Sequence, residues 1–419
     1  MHVVISKRHL LLITKKKILL FFEACLLLIM LVCMRGMILG NLYPVFGMAI
    51  AFVLCLINIK KKYDHNVIVF AVCCIFWGYC VIQGMLLNSN SRGYLIQIFF
   101  YWFLEAGAAY LMFQKQREKN FFCKFIIRVL TFISGSYLIS FSIGVLIGWS
   151  KIKLFELNYN YFYNAPLLFP FTFVYGSGKV AGIEIYRLLG IARESGIMQC
   201  LFSWAFFSAE KYIDRSQWTK VLLLLGLVSC LSTTGLVIFF GILAINQLTK
   251  NMKKLFSVQT LGVILVIAIA ALLLLGEGTY GFKFRWENSF SERTVAMSYG
   301  LDNFQKHPLC GIGFFKTADS SVIHSEANFI ASLGNIGLIG GILFLLIYVI
   351  AFICADDKRL FLTSNGDFFL TALIAQPLYV YPLMYVFLFS NIKTKQVHYK
   401  DNGNIAKSNK SMRSSLANN

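Results

Sequence analysis

Long stretches of almost uninterrupted apolar side chains, separated by short polar punctuation, dominate this chain. They run at about 18–34, 37–57, 67–87, 94–113 and 121–148, then at 193–209, 218–232, 234–247 and 259–276, and again at 336–354. Runs of roughly 18 or more apolar residues match the thickness of a bilayer core when wound as helix. The last stretch, Phe368–Phe389, is broken by Gln376, Pro377 and Pro382. A single helix there would leave the basic tail on the wrong side of the membrane. A short helical hairpin that returns to the same face is the better reading, and it gives twelve passes rather than eleven. The expected fold is therefore all-α, a polytopic integral membrane helix bundle of about 11–12 transmembrane helices over residues 1–390. Residues 391–419, rich in Asn, Ser and Lys, read as a basic disordered cytoplasmic tail.

Composition sharpens this. The chain is 58% hydrophobic and 14% charged, and its mean hydropathy is +0.68. A soluble domain carries about a quarter charged residues to meet water, so a large soluble core is excluded. The net charge of +20 would fit nucleic acid, but its placement decides otherwise. The cations sit in short stretches between apolar runs: Lys15–Lys17, Lys60–Lys62, Lys115 to Lys119, Lys211 to Lys220, Lys250 to Lys254, and Lys358 with Arg359. That is the positive-inside pattern, so these stretches and both the N- and C-termini are expected to be cytoplasmic. Alternation then puts two long loops, about 149–191 and 277–326, on the outer face. The cysteines fall almost all inside spans, only Cys310 lying in an outer loop, so no disulfide framework is expected there. The first apolar run reads as a retained helix rather than a cleaved signal, and no internal repeat is visible.

The second outer loop has features of its own. Ser289-Phe290-Ser291-Glu292 is a capping-box arrangement. Phe290, Met297, Leu301 and Phe304 follow at helical spacing, predicting an amphipathic helix that stops at His307-Pro308. Charge inside the apolar runs (Glu23, Arg35, Glu105) reads as snorkelling or local ion pairing. Cations on the face where they are normally depleted carry more information: Arg187, Arg193, Lys283, Arg285, Arg293, Lys306 and Lys316. A guanidinium at a membrane surface suits bidentate contact with phosphate oxygens, which points to a membrane-borne anion such as a lipid pyrophosphate. For Lys283, Lys306 and Lys316 headgroup anchoring is the better account; for Arg187 and Arg193, flanking Gly190, binding is. Glu194 follows Arg193 directly as an orienting partner, with a base role second. His324 is the side chain best suited to accept a proton near neutral pH, with Asn328 close by; His307 reads as structural. No zinc spacing, lysine-bearing phosphate loop or serine elbow occurs, so neither metal nor cofactor is expected.

Three segments resemble the O-antigen polymerase and ligase superfamily of bacterial polysaccharide assembly. Arg187-Leu188-Leu189-Gly190-Ile191-Ala192-Arg193-Glu194-Ser195-Gly196 is similar to the arginine, glycine and Glu-Pro-Gly-like stretch of that family, with Ser195 in the proline's place. Ser232-Thr233-Thr234-Gly235 resembles a Ser/Thr-Gly turn that in many members continues with an arginine, where this chain has Leu236. Phe304, His307-Pro308-Leu309-Cys310-Gly311-Ile312-Gly313, His324, Asn328 and Leu333-Gly334-Asn335-Ile336-Gly337-Leu338-Ile339-Gly340 resemble the family's proline-glycine, His/Asn and glycine-rich run. The usual His-Asn adjacency is here His324-Ser325-Glu326-Ala327-Asn328.

The resemblance implies a metal-independent membrane glycosyltransferase, an oligosaccharide repeat-unit polymerase. It would join undecaprenyl-pyrophosphate-linked units into a capsule, O-antigen or exopolysaccharide on the outer face. His324, Arg193 and Glu194 would be catalytic; Arg187, Arg293, Arg285 and Asn328 would bind pyrophosphate or glycan. The partners implied are the polyprenyl-pyrophosphate-linked oligosaccharide, membrane lipids, and a flippase and chain-length regulator, with no nucleic acid. A ligase that transfers a finished glycan is the nearest alternative. A lipid-linked sugar flippase or other transporter is the rival from another class, although no two halves of this chain match as transporter repeats often do.

Overall fold

The computed structural model describes residues 7–59, 67–87, 92–159, 163–180, 183–250, 283–315 and 328–394. The expected span at 259–276 and His324 lie outside them. Apolar sequence winds into helices α1 (Lys7–Cys33), α2 (Pro44–Asn58), α3 (Val67–Leu87), α4 (Arg92–Met112), α5 (Gln116–Ile147), α6 (Ser195–Tyr212), α7 (Ser216–Ser229) and α8 (Thr233–Lys250). Further along come α9 (Lys283–Lys306), α10 (Phe329–Ile353), α11 (Lys358–Ile374) and α12 (Pro382–Ser390). Four of the described helices, α3, α4, α5 and α10, are long and apolar enough to cross a membrane. Much of their apolar surface faces outward, for example Ile82 and Phe132, as a lipid-bathed bundle requires.

Contacts at the helix ends show the chain running back and forth. At one end, Met37 after α1 bridges Ala192 before α6. The Gln83 amide nitrogen of α3 donates to the carbonyls of Cys310 (2.6 Å) and Asn335 (2.8 Å), and its oxygen accepts from the Phe314 N–H (2.8 Å). At the opposite end, Ala355 bridges Ile392, Lys211 pairs with Asp356 at 2.9 Å, and buried Lys119 donates to the Ile392 carbonyl at 2.7 Å. The second end carries the lysine-rich connections.

Several expectations are corrected. The loop at 149–191 folds into an antiparallel meander, β1 (Lys153–Tyr159), β2 (Tyr163–Leu168), β3 (Thr172–Val180) and β4 (Ile183–Leu188), in the order β1-β2-β3-β4. The fold is thus a mostly helical bundle with one small sheet rather than helices alone. Trp149 ties the end of α5 to this sheet through its indole N–H and the Glu184 carbonyl (2.9 Å). The run read as one span over 37–57 begins as turns, and helix starts only at Pro44, where proline suits a first helical turn. The helix read from Ser289 starts at Lys283, so Ser289 and Glu292 lie inside α9 rather than capping it. Of the apolar set, Leu301 is 42% exposed and Met297 and Phe304 are half-buried, while Ala296 and Gly300 face inward. Small residues are needed because α9 and α10 touch backbone to backbone. A Cβ at Gly300 would collide with the Ala331 carbonyl, and one at Gly334 with the Gly300 carbonyl. The break expected within 368–389 is present. α11 ends at Ile374, a 3-10 turn covers Leu378–Val380, and α12 starts at Pro382. Because Ala355 and Ile392 are bridged, the chain from α11 through α12 returns to the end it left.

Candidate functional site

The region where the sheet, α6 and the last hairpin meet is built around Arg193. The turn after α1 holds Gly36 at φ +84°, and its carbonyl accepts from the Arg193 N–H at 3.0 Å. A side chain at that position would fall 2.8 Å from the Tyr381 ring, so glycine lets the ring lie on the turn. The Arg193 guanidinium donates to Glu194 Oε1 at 2.6 Å and to the Tyr381 hydroxyl at 3.4 Å. Glu194 is the N-cap residue of α6 but makes no side-chain cap, its carboxylate being turned to Arg193 instead. Both side chains remain partly accessible, 25% and 31%. They form an ion pair open to an incoming ligand rather than sealed in a core.

Beside this pair, parts of the three sequence segments adjoin one another. A Cβ at Gly196, in the first turn of α6, would sit 3.3 Å from the Gln376 amide and 3.6 Å from the Ser232 hydroxyl. Gln376 lies in the break after α11, and Ser232 precedes α8 by one residue. Asn328, from the third segment, donates to the Ile374 carbonyl at 3.2 Å, two residues before Gln376. Arg187-to-Gly196, Ser232-to-Gly235 and the start of α10 therefore adjoin one another at the C-terminal end of α11.

Individual candidates fare differently. Arg193 and Glu194 are brought together. Arg187 is on β4 opposite Tyr175 of β3 and half-buried. Asn328 is wholly buried, and its side-chain oxygen caps α10 by accepting from the Ala331 N–H (2.9 Å). With its amide group also engaged, it holds α10 against α11. Arg285 and Arg293 lie on the backbone of α9, and their side chains fall outside the described residues. His307 follows α9, its N–H bonded to the Asn303 carbonyl at 2.9 Å. Lys306 is exposed at the end of α9.

Arg35 and Glu105 take different settings. Arg35 is in the turn between α1 and α2, where it donates to the Tyr94 hydroxyl (2.9 Å) and lies over the Tyr94 ring at 4.7 Å. Among the described residues Glu105 makes no direct salt bridge, although the Arg35 charge acts on it. It sits in a π-helical turn, Trp102–Ala106, within α4, fully buried, and neither carboxylate oxygen has a hydrogen-bond partner. Such turns recur at functional sites. Glu23 is buried in α1.

Two features escaped the sequence reading. Tyr381 is one; its signal was the Gln376-Pro377 to Pro382 interruption, since broken helices expose backbone and place side chains at sites. Asp367 is the other. It is buried in the middle of α11, accepts from Thr371 at 3.2 Å, and has Ser203 of α6 beside it. Near it on α6, Gln199 is buried with neither amide atom hydrogen-bonded. A polar seam thus runs between α6 and α11 from the Arg193 end toward the bundle centre.

No protein-family model, curated protein or solved structure matches this chain.

Proposed function

We propose that this protein is a membrane glycosyltransferase that joins oligosaccharide repeat units carried on a polyprenyl pyrophosphate into a surface polysaccharide. The observation that carries this reading is that parts of the three motif-like segments adjoin one another beside the accessible Arg193–Glu194 pair. The lysine-rich connections lie at the other end, so the positive-inside tendency turns Arg193 and the sheet outward. In the proposed step a hydroxyl of the acceptor sugar attacks the anomeric carbon of the lipid-linked donor. The bond from that carbon to the phosphate oxygen breaks, and the pyrophosphate leaves with the electron pair. Arg193 meets the charge growing on the leaving oxygens, where a fixed cation does most good. Glu194 and Tyr381 hold the guanidinium. With Glu194 so engaged, His324 becomes the better candidate for taking the hydroxyl proton.

The test is deletion of the protein followed by gel analysis of surface polysaccharide. A polymerase deletion leaves single units, whereas a ligase deletion leaves long unattached chains. Arg193→Ala in the restored gene is expected to reproduce the deletion pattern, and an unchanged ladder overturns the role of Arg193.

A second reading, ion-coupled transport of the lipid-linked unit, is favoured by the buried carboxyls of Glu105 and Asp367, because intramembrane acids often line ion pathways. It expects Asp367→Asn to stop translocation of lipid-linked units across the membrane. Under the polymerase reading translocation continues even in the deletion strain.

A further inference from the structure

At the lysine-rich end, opposite Arg193, α1, α5 and α6 leave a recess of ≈ 570 Å³ between them. Its rim is cationic: Lys17 from α1, Arg117 and Lys124 from α5, and Lys211 from α6. Its wall is apolar, with Leu20 and Phe21 the next turn along α1. Two of the four cations have acidic neighbours. Lys211 meets Asp356 at 2.9 Å, and Lys124 meets the almost fully exposed Asp214 at 3.6 Å. Among the described residues, Lys17 and Arg117 have no carboxylate partner, so the recess keeps a positive excess. It opens sideways, not into an aqueous funnel: Ile18, Leu19, Phe21 and Phe22 beside it are 53–62% exposed on the surface that apolar lipid must cover.

We propose that this recess binds the phosphate headgroup of an anionic phospholipid. Lys17 and Arg117 meet the phosphate oxygens, Lys124 and Lys211 close the rim, and an acyl chain lies along Leu20 and Phe21. A free phosphate would satisfy the rim and leave the apolar wall unused. A zwitterionic lipid would cover the wall and bring its own cation against the rim. Juxtamembrane cations between helices at the cytoplasmic surface have this chemistry, each gaining about a fivefold preference for anionic lipid. The site is independent of the glycan chemistry at the far end.

The full chain, purified in detergent, is titrated with phosphatidylglycerol, phosphatidylcholine or inorganic phosphate while its thermal midpoint is followed, and lipid retained is counted by native mass spectrometry. Phosphatidylglycerol is expected to raise the midpoint and to remain bound, and the other two to do neither. Lys17→Gln/Arg117→Gln/Lys124→Gln is expected to weaken retention on the order of a hundredfold. A control that removes the same charge in and beside the sheet, Lys151→Gln/Lys153→Gln/Lys179→Gln, leaves it unchanged. Equal effects of the two lipids, an equal effect of inorganic phosphate, or equal loss in the control overturns the proposal. Should the triple variant not fold, Arg117→Gln alone and a salt titration decide. Retention that survives about 1 M salt, where screening acts within about 3 Å, also overturns it.

Discussion

At the scale of single residues, the candidate site depends on Gly36 as much as on Arg193. Alanine at 36 must adopt a left-handed backbone and push the Tyr381 ring away, a strain of about 1–3 kcal/mol. Gly36→Ala is expected to lower the thermal midpoint in detergent and to shorten the polymer. Tyr381→Phe keeps the ring on the turn and removes only the hydroxyl facing the guanidinium. It should leave the midpoint in place while reducing polymer length, and a normal ladder would remove Tyr381 from the site. Arg193→Lys retains the charge but loses the planar fork held by Glu194. Its rate is expected to drop by about a hundredfold, read as the yield of long chains per cell. Arg193 and Glu194 were legible because an arginine away from the lysine-rich connections is anomalous by itself. Tyr381 and Asp367 were not: a tyrosine or aspartate within an apolar stretch says nothing until the fold shows which helix faces it. Asn328 has the same ambiguity, since an amide suited to a sugar hydroxyl is equally suited to the helix cap it makes.

Among the elements, the apolar runs announced the helices, and the prolines announced the break between α11 and α12. The sheet at 153–188 stayed hidden because its strands are short, and periodicity in loops flanked by strong membrane signals is easily read as connection. The origin of α9 was hidden because a Ser-x-x-Glu pattern occurs inside helices as well as at their starts. Gln83 joins three of these elements: α3, the turn after α9, and α10. Gln83→Ala strips buried partners from the Cys310 and Asn335 carbonyls and the Phe314 N–H. A loss of about 2–4 kcal/mol is expected, with faster proteolysis in the 308–315 turn as the measurement. A variant as resistant as the parent would show that this tie is dispensable. Lys211 and Asp356 join α6 to the α10–α11 connection at the other end. Partial burial pushes the Asp356 carboxyl up, but the hydrogen bond and charge of Lys211, helped by Lys119 and Lys393, outweigh it and hold the group below its ordinary 3.8. The stabilisation is therefore complete above that pH and is lost as pH falls through the lower folded value. For so accessible a pair it amounts to at most about 1 kcal/mol. The midpoint difference between the parent and Asp356→Asn should be small at pH 7 and narrow as the pH drops below about 4. A difference that widens in acid would contradict the assignment.

For the whole molecule, everything proposed about glycan chemistry depends on which end of the bundle meets which compartment. The two ends differ in kind. One carries the sheet, Arg35, Arg187, Arg193 and the exposed thiol of Cys310; the other carries the lysine-rich connections and the anionic-lipid recess. Cys310 alone among the cysteines is exposed, so the chain has its own reporter for the Arg193 end. A membrane-impermeant maleimide added to intact cells is expected to label Cys310, and Cys310→Ser should abolish the signal. In that background Asp214→Cys, on the short connection between α6 and α7 at the other end, should label only after the membrane is opened. The reverse pattern would place Arg193 against the cytoplasm and the lipid recess in the outer leaflet. Lipid-linked repeat units ready for polymerisation would then be on the wrong side of the bilayer for this pair to act on, and the transferase reading would fall while the fold and its internal ties stood.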